Sequence, residues 1–147
     1  MIHIQNLSLA NIDEAIHLVV DDWQRKYVLP NAEMIAWAYV DPQNLFPLAL
    51  YDNETLVGLA FVRREKNTAI MTLQQIMIGQ TFQSKGFGSD GTRRIVEWIE
   101  EQFDCQLVQA NVAIGNQRGR DTLETAGFMK RSTDLDKREI EMIYIMK

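Results

Sequence analysis

The residues of this chain best suited to chemistry lie in one short stretch, Gln83-Ser84-Lys85-Gly86-Phe87-Gly88-Ser89. An apolar run ending in Ile76-Met77-Ile78 leads towards it, and a helical pattern begins directly behind it. Such a loop aims several backbone N–H groups and the positive end of a helix at phosphate oxygens. Glycines at 86 and 88 keep side chains out of the approach and permit a positive φ. A tight strand-to-helix connection with no ligand is the alternative reading of the same glycines. The Walker pattern GxxxxGKS/T is absent. Gly86 to Gly91 satisfies GxGxxG by letter, but hairpins precede it and no acid ends the next strand to bind a ribose. A dinucleotide is therefore excluded.

The other reactive residue types have plainer readings. His3 and His17 find no third ligand at metal spacing, so no metal is expected. The single cysteine, Cys105, excludes an internal disulfide and reads as a small buried apolar group. Trp23, Trp37 and Trp98 fall on helical patterns and are expected in the core. Asp21-Asp22 and the pair Asp134, Asp136 are either solvated faces or attractors of a polycation.

These residues must be held by an alternation of strands and helices. Met1 to Leu7 alternates as a half-buried strand, and Asn11 with Glu14 three positions on forms a capping-box pattern. Ile12, Ala15, Ile16, Val19 and Val20 repeat at helical spacing, and Ala32 to Tyr39 predicts a second helix. Phe46 to Tyr51, Thr55 to Val62 and Thr68 to Ile78 read as strands joined by two tight turns, hence antiparallel hairpins. In the helix predicted after the loop, Thr92, Ile95, Val96, Ile99 and Phe103 face one way and Arg93, Arg94, Glu97, Glu100 and Glu101 another. Cys105 to Ala113 predicts a strand, Asn116 to Ala126 a helix stopped by Gly127, and Phe128 to Ser132 a strand. Thr133 to Arg138 reads as a loop before the last strand, Ile140 to Met146. The order β-α-α-β-β-β-α-β-α-β-β predicts a mixed α+β sheet fold.

At 147 residues the chain is sized for one domain, spanning 1–147. Fifteen Lys and Arg against twenty Asp and Glu leave a charge of −5, which argues against a nucleic-acid partner. No segment approaches 18 apolar residues and the start lacks a basic leader, so neither membrane nor export is expected and a cytoplasmic location is the default.

Gln83-Ser84-Lys85-Gly86-Phe87-Gly88 also fits Arg/Gln-x-x-Gly-x-Gly/Ala, the pyrophosphate loop of the GNAT N-acetyltransferases, and the whole chain resembles that superfamily. The strand Leu73 to Ile78, the helix behind the loop and Asn116…Ala126-Gly127-Phe128 fall in its order and spacing. Val28-Leu29-Pro30-Asn31, Ile35 to Tyr39, Phe82 to Gly88 and Glu139-Ile140-Glu141-Met142 resemble the spermine/spermidine (diamine) branch. The resemblance implies a mostly antiparallel mixed sheet of six to seven strands flanked by about four helices. It implies acetyl-CoA as co-substrate and a small-molecule primary amine, best a polyamine, as acceptor. Other acceptors are a protein N-terminus, an amino acid or an antibiotic amine, and a non-catalytic acyl-CoA-binding module is a further alternative. Members are often dimers, so a homodimer is compatible.

By the same resemblance, the backbone of Ile76, Met77 and Ile78 pairs with the pantetheine arm and one N–H polarises the thioester. Residues Gln83 to Ser89 hold the pyrophosphate, with Lys85 near the phosphates. Asn116 bonds the pantetheine, caps the following helix, or does both. The family's acid tyrosine is replaced by Leu123, and the strand before the loop offers Gln74 and Gln75 where many relatives carry a carboxylate. An alkyl ammonium is only about one part in a thousand neutral near pH 7.4, so a base or a water chain is needed. Tyr144, Tyr39, Tyr27 and Glu65 are the available side chains, each with a structural alternative.

Overall fold

Alternation, turn chemistry and helical stripes produce the expected order in the computed structural model, which describes residues 1–147. The strands are β1 (Ile2–Asn6), β2 (Leu45–Asp52), β3 (Thr55–Arg64), β4 (Ile70–Ile78), β5 (Leu107–Ala113), β6 (Met129–Asp134) and β7 (Glu139–Ile145). The helices are α1 (Ile12–His17), α2 (Asn31–Val40), α3 (Phe87–Gln102) and α4 (Gln117–Thr125), with 3-10 turns at Asp22–Gln24 and Gln80–Phe82. The strands form one seven-stranded sheet in the order β1-β2-β3-β4-β5-β7-β6. Only β4 and β5 run parallel; every other neighbouring pair is antiparallel.

Several boundaries differ from the sequence expectation, each for a local reason. The capping box at Asn11 is not formed. Its Oδ1 accepts from Ser8 N at 2.8 Å and its Nδ2 donates to Tyr51 Oη at 3.1 Å, so the side chain ties the preceding loop to β2. α1 stops at His17, leaving Val19 half exposed at 50%, while Ala15 and Val20 are buried. Thr68 stays out of β4, because its hydroxyl donates to Glu65 O at 2.8 Å and accepts from Ile70 N at 3.1 Å. Thr133 and Asp134 belong to β6, where they pair with Ile140 and Glu139. Cys105 precedes β5 and is half-buried; burial pushes its thiol pKa up, which keeps it protonated. Trp23 (43% exposed) and Trp37 (58%) lie outside the core, while Trp98 packs between Phe46 and Phe103.

Two apolar clusters cover the two faces of the sheet. α3 supplies Ile95, Val96 and Ile99 and α4 supplies Leu123 to one; Ala15, Met34 and Ala38 of α1 and α2 pack on the other with Leu59, Phe61 and Met77. β4 contributes to both faces through a bulge. Phe61 pairs with Gln75 but Val62 with Leu73, so Gln74 is an extra residue. Met71 and Leu73 face the α3 side, and after the bulge Ile76 and Ile78 do so while Met77 turns to the α2 side.

Candidate active site

The cleft arises where the one parallel pair fails. β4 and β5 are bonded only from Ile70 to Thr72 and Leu107 to Gln109. Beyond that, β4 stays with β3 and β5 stays with β7, so the two strands part. A cavity of about 580 Å³ opens between them, walled by Thr72 to Ile78 and by Ala110 to Ala113. Tyr27 and Val28 border it on one side, and the 86–89 loop with Asn116, Gly119 and Thr122 on the other elements that meet it.

The strand register determines which backbone groups face this space. Gly79 N donates to Val57 O at 2.8 Å, and in an antiparallel ladder the bonded residues alternate. Gln75 and Met77, opposite Phe61 and Leu59, therefore turn their backbone groups to β3. Ile76 and Ile78 turn theirs to the parted side, and the Ile78 carbonyl accepts from Gln83 Nε2 at 2.9 Å. Of the three residues expected to meet an acyl-CoA arm, Ile76 and Ile78 thus offer N–H groups to the cleft, while the Met77 side chain is buried beneath it.

The loop reaches its shape through two left-handed residues, Ser84 (φ 65) and Gly86 (φ 83). Gly86 is the N-cap of α3 and no side chain caps that end. The first return bond is Asp90 N to Gly86 O at 3.0 Å, so the N–H groups of Phe87, Gly88 and Ser89 remain free for an anion. Gly88 also lets α3 approach α4, since a Cβ there would lie 3.3 Å from Thr122 Cγ2. Lys85 is exposed, and neither it nor Ser84 lines the cavity.

Asn116 caps α4, its Oδ1 accepting from Gly119 N at 3.0 Å. Asn116→Ala is expected to cost about 1 kcal/mol, read as a drop of about 2–4 °C in Tm. Gln75 is likewise structural: its Oε1 accepts from Leu29 N and its Nε2 donates to Leu29 O, both at 2.9 Å. That clamp holds the Val28-Leu29 segment on β4. Gln74 accepts from Arg63 Nε at 3.3 Å.

The four expected proton carriers separate. Tyr27 lines the cavity, with Lys26 Nζ 5.1 Å from its ring centroid. Glu65 touches the cavity only through Thr72, whose hydroxyl donates to Glu65 Oε2 at 3.1 Å and accepts from Gln109 Nε2 at 2.9 Å. Tyr39 is 83% exposed on α2 and opens onto a separate apolar groove. Tyr144 packs on Phe128 at 5.6 Å, away from the cavity lining. Leu123 is buried.

Two lining residues were given no site role by the sequence, although Glu139 lies in the stretch that resembles the diamine branch. Glu139 begins β7 opposite Ala113 and is the one carboxylate lining the cavity, without a hydrogen-bonded or ion-paired partner. Arg118, in the first turn of α4, lines it too. Their positions follow from strand pairing and helix phase rather than from any local pattern.

A family model described as the acetyltransferase (GNAT) family matches residues 11–128. No curated protein matches the chain by sequence. Among solved structures, the aminoglycoside acetyltransferase AAC(6')-Ib in complex with coenzyme A superposes with a TM-score of 0.79 at 15% identity. That match covers 99% of this chain and 95% of the other. The spermidine N-acetyltransferase of Vibrio cholerae in complex with CoA and spermine gives 0.78 at 15% identity, covering 98% and 95%. At such identities the likeness establishes the fold.

Proposed function

Because the chain belongs to the acetyltransferase (GNAT) family, we propose that it moves an acetyl group from acetyl-CoA to a small primary amine, with a polyamine such as spermidine or spermine as acceptor. The observation that carries this reading is the parting of β4 from β5 beside the uncapped start of α3. The residues present suit acetyl-CoA. Free N–H groups at Phe87 to Ser89 match a pyrophosphate, and the N–H groups of Ile76 and Ile78 match the amides of a pantetheine arm. Bound there, acetyl-CoA supplies an activated acyl thioester.

The chain's contribution is placement, charge and proton handling. Holding amine and thioester together removes a bimolecular entropy cost. An Ile76 or Ile78 N–H aimed at the thioester oxygen stabilises the charge that develops there. The amine nitrogen forms the amide bond as the C–S bond breaks. Starting from an ammonium, one proton ends on the departing sulfur and one goes to water. In this reading Tyr27, the tyrosine lining the cavity, gives its phenol proton to the sulfur and regains one from the amine. Glu139 holds a cationic end of the acceptor, and the second proton leaves through the open cleft. A cationic acceptor such as spermidine is favoured because Glu139 makes no ion pair within the chain and the chain carries a net −5.

Thiol release from acetyl-CoA is the test, run with spermidine, an aminoglycoside, a free amino acid and a peptide N-terminus. Saturable release with spermidine alone supports the polyamine reading; release with another amine moves the acceptor and keeps the reaction. Binding of acetyl-CoA with no release for any amine leaves the regulatory-module reading instead. Glu139→Gln is expected to raise KM for spermidine about tenfold, the size of one charge-assisted contact. Its affinity for acetyl-CoA should stay at the wild-type value.

A further inference from the structure

We propose that Arg118 binds the pyrophosphate of acetyl-CoA and that Trp23 positions it, fastening the amine-side segment to the nucleotide side of the cleft. This rests on the acetyl-CoA reading above and adds residues to it. Arg118 Nη2 donates to Ser84 Oγ at 2.8 Å, which anchors the guanidinium on the loop that carries the free N–H groups. The same guanidinium lies 5.7 Å from the centroid of the Trp23 ring. A guanidinium carries five N–H donors in a planar fork, and Ser84 takes one of them. No carboxylate pairs with Arg118, although Arg120 on the same helix and Arg93 and Arg94 on α3 all have one. An unneutralised fork beside an anion-binding loop is suited to bidentate contact with a phosphate.

A second tie reinforces the first. Gln24 Oε1 accepts from Gln83 Nε2 at 2.6 Å, and that nitrogen also donates to the Ile78 carbonyl at 2.9 Å. The Asp22–Gln24 turn therefore meets the phosphate loop at two points, Gln83 and, through Arg118, Ser84. Trp23 is well suited to a platform, since its indole is 43% exposed and unused by the core. Lys85, the cation that the sequence offers for the phosphates, lies outside the cavity lining. Arg118 takes that role because α4 starts beside the loop.

Calorimetric titration of acetyl-CoA and of dephospho-CoA into wild type, R118A, R118K, W23A and W23F tests the proposal. R118A should weaken both ligands by about tenfold or more, and by the same factor, because the lost contact is to the pyrophosphate. R118K should recover only part, since an ammonium lacks the fork. W23A should weaken binding about threefold and raise KM for acetyl-CoA without changing kcat, and W23F should restore it. Tryptophan emission should change on ligand binding in wild type and not in W23F, although W23F still binds. Wild-type affinity in both R118A and W23A would overturn the proposal. So would an R118A loss seen with acetyl-CoA but not dephospho-CoA, which would put the contact on the 3′-phosphate. A wild-type protein that binds neither ligand would overturn the acetyl-CoA reading itself, a result distinct from these.

Discussion

Gly88→Glu is expected to weaken acetyl-CoA binding by about 100-fold or more while leaving the protein folded. Gly88 is the second residue of α3, and its N–H is one of three with no partner inside the chain. A carboxylate there fills the approach and competes for the same donors. Losing two charge-assisted hydrogen bonds costs about 3–6 kcal/mol, and each 1.4 kcal/mol is about a factor of ten in affinity. The fold tolerates the change for two reasons. The new Cβ meets a methyl, Thr122 Cγ2, at 3.3 Å, which moves more readily than backbone. A negative charge in the first helical turn also favours the helix, by about 0.3–1 kcal/mol. Calorimetry with acetyl-CoA and a thermal melt on the same sample check both halves. A lowered Tm with unchanged affinity would reverse the expectation.

Gly58→Ala acts in the opposite way, through the frame rather than the ligand. Gly58 sits in β3 beside the irregular pairing of Leu50 and Tyr51, opposite Ile78. A Cβ there would lie 2.3 Å from the Met77 backbone oxygen and 2.9 Å from Ile78 Cδ1. The first contact is with backbone, so β3 or β4 must move. The expected cost is about 3 kcal/mol, the upper end of the usual range for overpacking that shifts backbone. For a chain of this size that is a loss of about 6–12 °C in Tm. Because β4 presents Ile76 and Ile78 to the cleft, the surviving folded fraction should also bind acetyl-CoA less well. A chemical-denaturation curve and a titration on the same variant measure the two effects separately.

These two glycines show what the sequence could and could not convey. Gly88 was legible as a candidate contact, because a glycine loop between a strand and a helix is a local pattern whose spacing suggests its own chemistry. Gly58 was not, because its meaning depends on an oxygen of a neighbouring strand. The same division runs through the molecule. The hairpins were legible because Asn53 and Asn67 take the left-handed conformation (φ 56 and 61) at turns where asparagine is tolerated. The bulge at Gln74 was not, since only pairing with Phe61 and Val62 creates it. That bulge resets the alternation, so that Ile76 and Ile78 rather than Met77 share a face with Met71 and Leu73, a phase that periodicity over Thr68 to Ile78 could not supply. Asn116 was read with both a cap and a ligand role, and its bond to Gly119 N accounts for the first. The glutamines at 74 and 75 read as missing carboxylates, yet Gln75 clamps Leu29 and so holds the Val28-Leu29 segment on β4. Trp23 fell outside the core because its segment forms a 3-10 turn rather than a full helix with a buried face. Arg118 and Glu139 became visible only once α4 and β7 were set beside the parted strands.

The most direct measurement is mass spectrometry of spermidine incubated with the protein and acetyl-CoA, paired with quantification of free CoA. The account predicts one acetylated amine for each CoA released, saturable in both substrates and lost in Gly88→Glu. Acetyl-CoA that stays intact in the presence of spermidine and every other amine supplied would contradict it.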